Sequence, residues 1–114
     1  MWVMTSWGCF SILERPEDRQ AGTLTVEAVS RGDLDRLRER YLPMLGAGLA
    51  GDTGGGVRAR APREAVAIAL ASMVRGVEYP DLAAEVGRLR GADQEAAYRR
   101  AWAAMARPQE DGAD

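Results

Sequence analysis

Up to Ser30 the apolar positions of this 114-residue chain come in short runs, and beyond it they recur at helical spacing. Trp2 to Thr5 and Cys9 to Glu14 are apolar, partly β-branched stretches and read as strands. Ser6-Trp7-Gly8 between them has hairpin length and a glycine able to take the positive φ of a tight turn. Glu14 to Gly22, ERPEDRQAG, reads as a charged loop. Thr23 to Ser30 alternates, with Leu24, Val26 and Ala28 on one face and Thr25 and Glu27 on the other. That is the pattern of a half-buried strand in an antiparallel sheet.

Ser30 or Gly32 can then cap a helix from Asp33, with Leu34, Leu37, Tyr41 and Leu45 on one side and acids in its first turn. Pro43 ends or kinks it. Val57 to Ala61 could form a short fourth strand; if it does, the Asp33–Leu45 helix is a right-handed crossover that leaves that strand parallel to Thr23–Ser30. Pro62 suits the first turn of a helix carrying Val66, Leu70, Met73 and Val77 on one stripe. Pro80 opens a segment with Leu82, Val86 and Leu89 that Gly91 stops. Asp93 caps a last helix whose Tyr98, Ala101, Trp102 and Met105 share a face, with Trp102 in the core. Pro108 ends it, and QEDGAD is a loose acidic tail. This order predicts an α+β fold: a small three- or four-stranded, mostly antiparallel sheet with helices packed on one face. Residues 1–107 form a single domain and 108–114 the tail. The sheet edges fall at Trp2–Thr5 and at whichever of the last two strands is outermost.

Composition narrows the chemistry. Charged residues are 28% and hydrophobic residues 46% of the chain, which is ordinary for a globular protein. All fifteen cations are arginine, and lysine, histidine and asparagine are absent. Schiff-base chemistry and an imidazole titrating near neutral pH are therefore excluded. A single cysteine, Cys9, excludes an intrachain disulfide and a thiolate metal cluster. The net charge of −2, with acids and arginines interspersed, gives no global nucleic-acid footprint. MWVMTSWGCFSI lacks a basic n-region and makes a poor signal peptide, and the longest apolar run, Ala65 to Val74, is about half a membrane span. A soluble, cytoplasmic protein with no membrane partner is the expectation.

Candidate chemistry is sparse. Gly46-Ala-Gly-Leu-Ala-Gly51 spells GxGxxG and leads into Gly54–Gly56. A dinucleotide fingerprint needs such glycines between a strand and a helix N-terminus, whereas here they follow a helix and precede a strand. The stretch reads as a flexible spacer, and no cofactor is expected. Cys9 has no histidine to deprotonate it and reads as a small buried thiol beside Phe10. Asp33, Asp35 and Glu39 alternate with Arg36, Arg38 and Arg40, as on a solvated, ion-paired helix surface. No cluster has metal-ligand spacing. Nothing assembles a catalytic constellation, so the chain reads as a non-enzyme. Arg58, Arg60 and Arg63 are a local basic concentration; alternation places Arg58 and Arg60 on one strand face, opposite Thr25 and Glu27 as a cross-strand charge pairing. Trp7 at the hairpin tip is either an exposed binding anchor or folded back over its own hairpin.

Strand Met1–Ser6, then Gly8-Cys9-Phe10-Ser11-Ile12, the alternating strand and helix over Thr23–Leu42, Tyr79-Pro80-Asp81-Leu82 and the Tyr98-to-Trp102 spacing together resemble a family of small bacterial proteins without an assigned activity. The similarity covers most of the chain and implies fold and boundaries rather than a mechanism. The sequence departs from that pattern at Cys9, where an aromatic is usual, at Asp81-Leu82-Ala83, where an Asn-Phe-Lys turn is usual, and at the glycine run, where an aromatic-rich strand usually begins.

Two functions fit. One is a non-catalytic protein–protein interaction module working through a sheet face or edge and the hairpin tip, with Trp2, Trp7, Arg58, Arg60 and Ile68 as candidate residues and an unidentified protein as partner. The other is a small-ligand or nucleotide/phosphate-binding protein using the Gly46–Gly56 loop with Arg58 and Arg60. Self-association is a further expectation. Ala67, Ile68 and Ala71 make the reverse side of the Ala65–Val77 helix apolar. Either the last two helices or a second copy of the chain, as a homodimer, would cover it.

Overall fold

A computed structural model describes residues 1–50 and 56–107, so the middle of the glycine run and the acidic tail lie outside the described residues. The chain divides into two compact units, Met1–Glu78 and Tyr79–Asp114. In the first, β1 (Trp2–Thr5), β2 (Gly8–Leu13), β3 (Thr23–Ala28), β4 (Leu49–Ala50) and β5 (Val57–Pro62) form one sheet in the order β1-β2-β3-β5-β4. Every neighbouring pair is antiparallel. Helices α1 (Pro16–Ala21), α2 (Arg31–Arg40) and α3 (Arg63–Arg75) belong to this unit. The fold class is α+β.

Side-chain alternation divides the sheet sharply. Phe10, Val26, Ala28, Ala59 and Ala61 are buried on one face, where α2 contributes Leu34 and Leu37 and α3 contributes Val66 and Ala69. Leu42 and Leu45, just after α2, complete this core. Ser30 caps α2 by accepting a hydrogen bond from the Asp33 N–H at 3.1 Å, and the helix stops before Pro43. The stripe expected on α3 holds through Met73, but Val77 lies beyond the helix and is 52% exposed.

The run Glu14–Gly22, expected as a loop, contains α1. Pro16 at the first helical position and the acids Glu17 and Asp18 in the first turn favour a helix start. Gly22, at φ 69°, ends it in the left-handed conformation with its N–H on the Asp18 carbonyl. α1 sits against β3 on the face away from α2 and α3, because Asp18 bonds to Thr23 and Thr25, whose side chains point opposite to Leu24 and Val26.

The strand Val57–Pro62 is present but antiparallel to β3, which corrects the expected parallel crossover. Thr23 faces Pro62 and Ala28 faces Val57. α2 returns the chain to the end of the sheet where β3 starts, and the segment after Tyr41 then runs the sheet's length a second time. Arg38 holds that segment by donating to the carbonyls of Leu45 and Gly46. The Gly46 N–H donates to the Arg60 carbonyl at 2.9 Å, and Leu49 pairs with Arg58. The chain thus enters β5 from the opposite end, so the handedness rule for direct crossovers does not apply. Part of the presumed spacer is therefore an edge strand and its approach. Gly48 is small because a Cβ there would lie 2.8 Å from Leu34 Cδ2 and 2.9 Å from Val57 Cγ1.

The second unit contains α4 (Leu82–Arg90) and α5 (Ala92–Met105). Asp81 caps α4 by accepting from the N–H groups of Ala83 and Ala84. Gly91, at φ 99°, ends α4 and directly precedes α5, so the cap expected at Asp93 moves back to the glycine. Ala83, Val86 and Tyr98 are buried. Trp102, expected in the core, is 72% exposed. The reason is length: α4 has nine residues and α5 fourteen. Arg99 already reaches Asp81 at the start of α4, so the next turn of α5 has outrun its partner.

Leu34 is fully buried whereas Ile68 is 64% exposed. Leu34→Ala should therefore lower unfolding stability by about 3 kcal/mol, and Ile68→Ala should change it by less than about 0.5 kcal/mol. Urea unfolding of the two variants measures both.

Candidate functional site

The sheet face opposite the main core is closed at one end and open over the rest. Asp18 makes the closure. It is fully buried, and its two oxygens accept from the hydroxyls of Thr23 (2.6 Å) and Thr25 (2.8 Å), the Arg15 N–H (2.8 Å) and Arg60 Nε (2.9 Å). Burial alone would raise this carboxyl's pKa. The Thr23, Arg15, Thr25 and Arg60 donors outweigh it and hold Asp18 well below the usual carboxylate range. Arg60 also donates to the Glu17 carbonyl and the Thr23 hydroxyl. Its guanidinium is thereby committed to joining α1 to β5.

Away from α1 one cross-strand row crosses four strands. Trp2 pairs with Ser11, Ser11 with Glu27, and Glu27 with Arg58. At about 4.8 Å per strand, Trp2 and Arg58 stand about 14 Å apart with the other two between. The flanking positions on this face are Met4, Cys9 and Leu13. Trp2 is 79% exposed, Met4 and Leu13 are partly open, and Cys9, Ser11, Glu27 and Arg58 are half-buried. An apolar border at β1 thus grades into an acid and an arginine facing each other in the middle of the sheet. The face expected for Arg58 and Arg60, shared with Thr25 and Glu27, is the one observed; the antiparallel direction sets Arg58 against Glu27 and Arg60 against Thr25.

The β1–β2 turn is fastened to α2. The Arg40 guanidinium lies 3.5 Å from the centroid of the Trp7 ring, and Arg36 Nε donates to the Trp7 carbonyl at 2.9 Å. Asp33, expected on a solvated surface, is buried; it pairs with Arg36 and accepts from the Cys9 N–H at 3.2 Å. Gly8 makes this approach possible, since a Cβ there would lie 2.9 Å from the Asp33 carboxyl group. Trp7 is half-buried, with its ring against Arg40 of α2 rather than projecting freely. Its contact with Arg40 adds the ring–cation attraction to the apolar burial.

The candidate residues therefore separate. Trp2 and Arg58 share the open row, Arg60 belongs to the closed end, Trp7 is a structural contact of the turn, and Ile68 lies on the outward side of α3. Cys9 is half-buried on the open face, on the other side of the sheet from Phe10, which corrects the buried thiol beside it. The sequence reading missed Ser11 and Glu27 as members of the row and Asp18 as its boundary. The Pro-Glu-Asp helix start was the signal for Asp18. The row needed the β1–β2–β3 register. Among the described residues no group of three His, Cys, Asp or Glu could hold a metal ion, and no helix is long and apolar enough to cross a membrane. No family model, curated protein or solved structure matches the chain.

Asp18→Asn leaves one former acceptor oxygen as a donor facing other donors, and should cost about 1–3 kcal/mol. In the parent protein the Asp18 contribution is complete above about pH 4, near the unfolded carboxyl's value, and is withdrawn as the pH falls further. Thermal melts between pH 7 and pH 2.5 should therefore show a steep acid-side loss that Asp18→Asn flattens.

Proposed function

We propose that this protein is a non-catalytic protein–protein interaction module whose binding surface is the open sheet face and its β1 edge. The single observation that carries the reading is the row Trp2-Ser11-Glu27-Arg58, presented on a rigid antiparallel sheet with its largest apolar member 79% exposed. Tryptophan and arginine are among the side chains that contribute most at protein interfaces, and a surface mixing one exposed apolar anchor with fixed charges suits a partner of complementary pattern. Such a partner would bring an apolar side chain to Trp2 and a polar, charge-matched segment to Glu27 and Arg58. The closed end supports this reading over a phosphate site. Arg60, one of the two arginines that a phosphate would need, commits its Nε and Nη2 to Asp18, Glu17 and Thr23. The family resemblance and a cytoplasmic location are compatible with this role and add no residue to it.

A photo-crosslinking side chain at position 11, on the open row, should trap a discrete protein adduct in cells, and one at Glu64, on the outer side of α3, should not. Trp2→Ala should reduce the position-11 adduct at least about tenfold, the scale of a hot-spot truncation. Equal trapping at both positions would sink the proposal. A rise in melting temperature with nucleotides or phosphate that Arg58→Ala abolishes would favour the ligand-binding function instead.

A further inference from the structure

We infer that the β1 edge pairs with the β1 edge of a second copy of this chain, extending the sheet across a twofold axis at Val3. The inference rests on the reading of the β1 edge as part of a protein-binding surface, and it names the partner of that edge.

The backbone fixes which groups are available. Met1 and Ile12 exchange both main-chain hydrogen bonds, at 3.0 and 2.7 Å. Bonded and non-bonded pairs alternate along an antiparallel ladder, so Val3 and Thr5 also direct their N–H and C=O groups to β2. Trp2 and Met4 direct theirs outward. Sheet edges ordinarily carry a charge, a proline or a bulge that deters pairing. Trp2-Val3-Met4-Thr5 has neither charge nor proline, and its register with β2 is unbroken. The opposite edge, β4, has two residues among the described residues.

A twofold axis normal to the sheet through Val3 sets Trp2 opposite the second copy's Met4, and Met4 opposite its Trp2. Outward groups then meet outward groups, and every free N–H and C=O of Trp2 and Met4 gains a partner. A one-residue shift would oppose outward groups to inward ones. A two-residue shift would leave Trp2 against Ser6 in the turn. In the Val3 register the side chains agree as well. Trp2 and Met4 lie on the same open face, so each indole meets a thioether across the junction, a favourable pairing. On the other face Val3 meets Val3. Val3 and Met73 line one small core cavity, which brings the end of α3 to this side of the sheet, where Val74 and Val77 are exposed. An unrelated strand could satisfy the backbone groups; a second copy of this strand supplies the reciprocal Trp–Met contact as well.

Sedimentation equilibrium from about 10 µM to about 1 mM should show a monomer–dimer equilibrium, weak because the shared edge is short. Met4→Pro removes an outward N–H without taking a bond from β2, so the monomer should keep its circular dichroism and melting temperature. Its dimerisation should weaken about tenfold or more. If that variant fails to fold, two surface variants replace it: Trp2→Lys with Met4→Lys, and Trp2→Glu with Met4→Glu. Each alone should be monomeric, and their mixture should dimerise because every lysine then faces a glutamate. A parent chain that stays monomeric at about 1 mM overturns the inference, as does a dimer undiminished in Met4→Pro or in the separate charged variants. A monomer that still crosslinks another protein from position 11 overturns self-pairing alone, whereas a monomer with no such adduct overturns the interaction surface too.

Discussion

A carboxylate without water around it must find donors in the protein, and Asp18 finds them on three different parts of the chain. Its partners come from the lead-in to α1, from β3 and from β5, so one side chain holds the short helix against the sheet. A six-residue helix has no stability of its own. It persists because its buried acid is worth more paired than exposed, and because removing any one donor leaves a charge in a place that cannot solvate it. Where α1 stops, the face it covers stops being closed. The open row of Trp2, Ser11, Glu27 and Arg58 is the remainder of that face.

The other face shows why the chain can leave this one bare. α2, α3 and the segment after α2 bury a continuous apolar cluster there, with alanines on β5 letting the second layer come close. The return segment, held by Arg38 and narrowed at Gly48, turns β5 antiparallel and makes β4 one edge of the sheet. β1 is left at the other. An edge and a half-open face on the same strand are the features on which both functional proposals stand.

The turn between β1 and β2 illustrates how local chemistry and long-range contacts divide the work. Its length and its glycine suit a tight hairpin. What Gly8 is needed for is different: the Asp33 carboxylate from α2 approaches so closely that no Cβ would fit. Trp7 follows from the same approach. Arg36 and Arg40 lie on the side of α2 facing the turn, and they fasten its backbone and its ring. An arginine-rich helix read by period alone offers these residues as solvated partners for neighbouring acids. Asp35 with Arg38 keeps that role within the helix, and Arg38 also reaches out to the return segment.

The sequence by itself determined the α+β class, the hairpin, the β3 alternation, the buried stripes of α2 and the first turns of α3, and the shared face of Thr25, Glu27, Arg58 and Arg60. These follow from periodicity and turn chemistry, which act between residues close in the chain or forced into alternation by the pleat. Tertiary structure decided the rest: the helical state of Pro16–Ala21, the direction of β5, the burial of Asp18 and Asp33, and the exposure of Trp102. Each depends on a partner far along the chain. A charged segment becomes a helix once Thr23, Thr25 and Arg60 receive its acid, a strand reverses when its connection makes a second pass, and a tryptophan on an apolar stripe is uncovered where the neighbouring helix is too short to reach it. Hydrophobic period says which side of an element seeks cover; the lengths and placement of the other elements decide whether cover is there.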